Sequence, residues 1–169
     1  AIGSGWQAHP LDEVIDDRFY SFHSTDIYSA PAAYAVATEA ELYDATDNLL
    51  GAEGQALSQA DLNVEIQNFE NSSGWYIRLE NSGEKVLAKS LTVNNQIIFT
   101  TYEPNSTSNT GCSAAIGTAR SYVVSVSNAT PTMDLDNDGD WDKADRGTAL
   151  ATGSIAPEPI ALIPEGSDP

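Results

Sequence analysis

Positive charge is scarce in this chain: seven Lys and Arg stand against 25 Asp and Glu, for a net charge of -18 over 169 residues. No surplus of cations is left to neutralise phosphates, which excludes nucleic acid as a partner. The same shortage excludes docking on anionic lipid, because that takes a polybasic patch. Cysteine is rarer still. Cys112 is the single thiol, so it closes no internal disulfide and builds no zinc site alone; it reads as a buried or loop thiol, with pairing to another segment of a parent chain as the alternative. No apolar run approaches the ~20 residues of a membrane-spanning helix. Neither an initiator Met nor a basic-then-apolar leader opens the chain at Ala1, which reads as the start of a mature or excised segment.

What is present is enough apolar residue, 41%, for a real core. Asp, Asn, Ser and Thr are plentiful, a composition that suits a secreted surface. Gly, Pro and Asn/Ser clusters cut the chain into short pieces. Arg18 to His23 alternates as a strand does. Thr38 with Glu41 forms a capping-box pattern, and Leu42, Ala45 and Leu49 follow at helical spacing, predicting a short helix over Glu39 to Leu50. One more helical turn is expected at Ser58 to Leu62. From Gly74 the texture turns to strands: Trp75 to Glu80, Lys85 to Val93, Gln96 to Tyr102 and Ala119 to Val126. Asn94-Asn95 supplies a tight turn, since Asn tolerates positive φ. The tail, Ile155 to Ile163, holds at most an edge strand because of its prolines. The expected architecture is a single mainly-β module over 1–169, of antiparallel sheets, with a helical insertion at about 38–62.

The most explicit chemistry lies in 134–145. Six carboxylates crowd into twelve residues there and repel one another unless a cation joins them. Calcium takes six to eight oxygen ligands at ~2.3–2.6 Å, and the spacing is that of an EF-hand-type loop. Asp134, Asp136 and Asp138 fall at positions 1, 3 and 5, and Gly139 at the sharp turn. The Asp140 carbonyl falls at position 7, Asp142 at 9 and Asp145 at 12. Asp145 is one methylene shorter than the Glu usual there; in a nine-residue version Asp142 closes the site and Asp145 stands behind it. Magnesium, which wants a smaller octahedral site and keeps its waters, fits less well.

Other chemistry finds little support. A Ser-His-Asp triad would need His9 or His23, and no serine sits in a Gly-x-Ser-x-Gly elbow. Nothing basic near Cys112 would activate its thiol. Carboxylate pairs are abundant, but in so acidic a chain most of them simply solvate the surface. Trp6, Tyr28, Tyr34 and Trp141 are aromatic candidates for a binding surface, with packing as the ordinary alternative. These residues argue against an enzyme.

Several stretches, in order, resemble the C-terminal β-propeller of the type IV pilus tip adhesins of the PilY family. They are Ala1 to Gly5, Ala8 to Asp12, Asp17 to Tyr20, Leu42 to Asn48 and Gly74 to Ile77. Gly83 to Leu87, Phe99 to Tyr102, Gly117 to Arg120 with Tyr122, the Asp-rich loop, and Gly153 to Pro159 complete the set. The resemblance implies part of a bladed propeller at the bacterial cell surface, at the pilus tip. It implies calcium on Asp134, Asp136, Asp138, the Asp140 carbonyl and Asp142, linked to pilus extension, retraction and adhesion. Its implied partners are pilin or minor pilins and a host or abiotic surface. A blade takes roughly 40–50 residues, so this length supplies about three or four at most. No Arg-Gly-Asp triplet occurs, so integrin recognition is not expected. The alternatives are a secreted propeller-type hydrolase with a structural calcium, and a dockerin-like interaction module, in which Asp at position 12 is familiar but two loops are expected.

Overall fold

The computed structural model describes residues 1–23, 33, 36–105 and 117–162. Among these residues lie strands β1 (Ile2–Gly3), β2 (Arg18–Phe22) and β3 (Tyr43–Asp44), helix α1 (Gln59–Glu70), and strands β4 (Gly74–Arg78) and β5 (Lys85–Val86). Strands β6 (Leu91–Val93), β7 (Gln96–Glu103), β8 (Thr118–Ser125) and β9 (Gly147–Ala149) follow. The described residues are therefore mainly β with one α-helix. One sheet has the order β1-β2-β4-β3; the other runs β5-β7-β8-β9, with β6 also paired to β7. All pairs are antiparallel except β3 with β4. Among the described residues these sheets close into neither a barrel nor a propeller.

Alternation along β2 sends Phe19 and Ser21 inward, and Phe19 is fully buried with Trp75 and Phe99. Phe19 stacks on Phe99 with ring centres 3.8 Å apart, and Phe99 stacks on Tyr122 at 4.8 Å. One aromatic core thus joins both sheets. The Trp75 indole N–H donates to the Val126 carbonyl at 2.9 Å, just past β8. Each ring of this size stabilises the fold by about 1.5–3 kcal/mol through leaving water.

The Lys85–Val93 run is broken into β5 and β6, which share one edge of β7. Asn94 and Asn95 turn β6 into β7 with φ of 48° and 61°, the left-handed pair that matches strand twist in a two-residue hairpin.

The helix expected over Glu39 to Leu50 is not there. A 3-10 turn covers Glu39–Glu41, where the Thr38 N–H donates to Glu41 Oε2 at 2.8 Å. The chain then becomes extended, because β3 pairs Tyr43 with Trp75 and Asp44 with Tyr76. That places Tyr43 and Ala45 in the core. Tertiary pairing overrides a local helical pattern here. The helix lies instead at Gln59–Glu70, partly beyond the expected 38–62 insertion. Ser58 Oγ caps it by accepting the Asp61 N–H at 3.2 Å, and Phe69 meets Tyr43 edge-on at 5.6 Å. The described part of the tail forms no strand; the edge of the second sheet is β9. The connection from β8 to β9 carries the acidic segment.

Candidate metal centre

The acidic connection is curled by its own side chains. Asp134 Oδ1 accepts the Asn137 N–H at 2.6 Å, and its Oδ2 accepts the Gly139 N–H at 3.1 Å. Asp136 Oδ1 accepts from the Asp138 amide at 3.2 Å, and Asp138 Oδ1 from the Asp140 amide at 2.9 Å. Such bonds make Asp and Asn strong turn formers. Within 134–145 two residues have positive φ, Asn137 at 62° and Gly139 at 94°. A Cβ on Gly139 would meet open space, so the backbone angle, not crowding, asks for glycine there.

Asp145 closes the loop from the far end. It is 1% exposed. Its Oδ1 accepts the Leu135 N–H at 2.6 Å and the Asp136 N–H at 3.3 Å, and its Oδ2 accepts the Asp142 N–H at 3.1 Å. Asp134, Asp136, Asp138 and Asp145 each place a carboxylate oxygen such that all four lie within 4.8 Å of one another. This cluster could hold a metal ion. Asp142 stays outside it, capping the 3-10 turn Lys143–Arg146 by accepting the Ala144 N–H at 2.7 Å. The Asp140 carboxylate is also outside, exposed beside the turn. The cluster therefore follows the twelve-residue spacing, not the nine-residue one. The 3-10 turn brings Asp145 back to the Leu135 and Asp136 amides.

No cation of the protein neutralises these carboxylates: among the described residues, none of the six forms a salt bridge. The two nearby cations turn away. Lys143 Nζ pairs with Glu80 at 2.8 Å and Asp47 at 3.4 Å. Arg146 is buried, donating to the Thr46 carbonyl at 2.8 Å and to Asn48 Oδ1 at 3.0 Å. Burial lowers its pKa to about 10, against the pull of Glu53, Glu80 and Asp47. Asp136 is pushed above the usual carboxylate range, first by desolvation and then by the charges of Asp138, Asp145 and Asp134. Glu53 ties the same end of the loop to the first sheet's connection, accepting the Lys143 N–H at 2.5 Å and the Asn48 amide.

The other candidates are dispersed. His9 packs on Trp6 with ring centres 4.0 Å apart, and His23 lies edge-on to Phe69 at 6.3 Å. Cys112, Tyr28 and Tyr34 lie outside the described residues. Trp141, within the aspartate loop, is 55% exposed. Sequence reasoning missed a buried polar pair at the start of β5. Glu84 accepts hydroxyls from Thr101 at 2.5 Å and Tyr122 at 2.9 Å, plus the Asn81 amide at 2.6 Å. The Lys85 ammonium donates to the carbonyls of Asp12 and Gly83, both at 2.6 Å, and of Pro10 at 3.3 Å. Two adjacent charges between a Gly turn and a β run were the available signal. Both groups are satisfied internally, so the pair locks the N-terminal connection to the second sheet.

Fold and site together define a two-sheet β protein with an aspartate loop able to hold a metal. No family model, curated protein or solved structure matches the chain.

Proposed function

We propose that this chain is a calcium-stabilised β module that works by interaction rather than catalysis, as part of a type IV pilus tip adhesin at the bacterial surface. The observation that carries the calcium reading is the gathering of four aspartate oxygens within 4.8 Å with no protein cation among them. Carboxylate oxygens are hard ligands, and calcium accepts the irregular geometry and high ligand number such a loop offers. Asp134, Asp136, Asp138 and Asp145 would hold the ion, with the Asp140 carbonyl and Asp142 close enough in sequence to complete it. What the ion supplies is charge neutralisation that orders the β8–β9 connection.

The pilus-tip reading rests on the ordered resemblance. Two of its segments, Asp17 to Tyr20 and Gly74 to Ile77, fall on the paired strands β2 and β4. On this reading the two sheets are pieces of a larger bladed assembly, calcium governs the state of the module, and the partners are pilin or minor pilins and a surface.

Thermal melting in calcium and in chelator tests the first half. A midpoint raised by calcium in the wild type and unmoved in Asp138→Ala is expected; a metal-independent curve would sink the calcium reading. Purified minor pilins, titrated in calcium, test the second, and failure of each to bind would remove the pilus assignment while leaving the loop intact.

A further inference from the structure

Beside the metal loop is a cavity of about 360 Å³ formed by three connections: residues 50–55, residues 128–131 and residues 139–141. Trp141 flanks it, 55% exposed, and among the described residues its indole N–H has no hydrogen-bond partner. Around it stand Gln55 and Asp140, exposed and, among the described residues, without side-chain partners. Asn128 completes the rim: its Oδ1 accepts the Thr130 hydroxyl at 2.9 Å, while its amide N–H groups meet no acceptor among the described residues.

We propose that this cavity is a saccharide site for a neutral pyranose, stacked on Trp141 and hydrogen-bonded by Gln55, Asn128 and Asp140. A flat indole offers an apolar face for the ring's C–H side and a polar edge. Free amides and a free carboxylate offer both acceptors and donors, which is what a run of hydroxyls requires. The volume is at the small end for ligand cavities, ~300–1,000 Å³, and suits one or two rings. A peptide would call for an open strand edge or a long apolar groove, and the walls here are loops. Charge selects against acidic sugars: no lysine or arginine lines the cavity, and six carboxylates crowd the adjoining loop.

The proposal gives the adhesive reading a ligand class and rests on the calcium reading in one respect. Asp140 and Trp141 belong to the loop that the ion orders, so chelation would loosen the site. Saturation-transfer NMR with methyl β-galactoside, methyl α-mannoside and N-acetylglucosamine, each at about 10 mM to nearly fill a site of ~1 mM Kd, provides the test. Transfer to ring protons of at least one of these sugars is expected in calcium, with at least a tenfold loss in Trp141→Ala and none in Trp6→Ala. N-acetylneuraminic acid should show no transfer. Absence of transfer from all three neutral sugars, equal transfer in Trp141→Ala, or preference for the acidic sugar would overturn the proposal. The melting experiment above separates the two readings: calcium that raises the midpoint without any sugar transfer removes the saccharide site alone. Trp141-dependent transfer that chelation leaves untouched removes the calcium link and keeps the site.

Discussion

Two acidic places in this protein handle their charge in opposite ways. Asp44, on β3, has its own partners: the Thr46 hydroxyl at 2.6 Å and amide at 3.1 Å, the Tyr76 hydroxyl at 3.1 Å, and Arg78 at 2.7 Å. Partial burial acts to raise its pKa, but those donors and the guanidinium outweigh it and hold the carboxyl below its ordinary value. Asp136, in the β8–β9 connection, has a single backbone donor and three acidic neighbours, and moves the other way. One site is electrostatically complete within the chain. The other is organised by amides that fix carboxylate positions, and no cation of the described residues pairs with them. A loop so arranged could hold a metal ion, whereas the Asp44 cluster is a structural joint.

The comparison breaks most visibly with the ion. At calcium a hundredfold above Kd, mass action adds about 2.7 kcal/mol, or roughly 5–10 °C of midpoint for a domain of this size. Differential scanning calorimetry should show that gain intact in Asp44→Asn and absent in Asp138→Ala. Asp145→Ala reaches further. In chelator it strips an acceptor from the amides of Leu135, Asp136 and Asp142, and a loss of about 2 kcal/mol in urea unfolding is expected. Asp138→Ala, whose side chain holds one exposed amide, should cost well under ~1 kcal/mol there. Arg78→Ala removes an exposed partner from the Asp44 cluster, for roughly 0.2–1 kcal/mol, with no change in the calcium response.

The smallest effect is a difference in sign with pH, read as midpoints in chelator. Asp44 titrates below its unfolded value of 3.8, so its contribution is fully present above that pH and falls away as pH drops through the lowered pKa. Asp136 titrates above 3.8 in the folded protein. Its ionised form is therefore a penalty at neutral pH, relieved as pH falls through the raised pKa. Asp44→Asn should flatten the acid limb, and Asp136→Asn should raise stability at pH 7 without calcium. With calcium present the second variant should lose, because the carboxylate is then a ligand.

Much of this site is legible before folding. The Asp134, Asp136 and Asp138 spacing with Gly139 acts through bonds two to five residues long, and such bonds depend on local sequence alone. The Asn94-Asn95 hairpin is legible for the same reason, as is the inward alternation of Phe19 and Ser21. The expected helix over Glu39 to Leu50 failed where its residues found partners thirty positions away on β4. Helix α1 is only partly legible, since Leu62, Ile66 and Phe69 make a thin stripe at helical spacing while Val64 falls on the exposed side. Strand β9, three residues without a large apolar side chain, exists because β8 offers an edge.

The sequence by itself determined that the molecule is acidic, mainly β, and equipped with a closely spaced aspartate loop, because composition, alternation and short-range turns are properties of neighbouring residues. Only the tertiary structure decided that Asp145 rather than Asp142 joins the cluster. It alone sent Lys143 and Arg146 away from the loop and left Trp141 beside an open cavity. Those outcomes depend on where distant elements pack, and on which donors Asp47, Glu53 and Glu80 draw off before the carboxylates can use them.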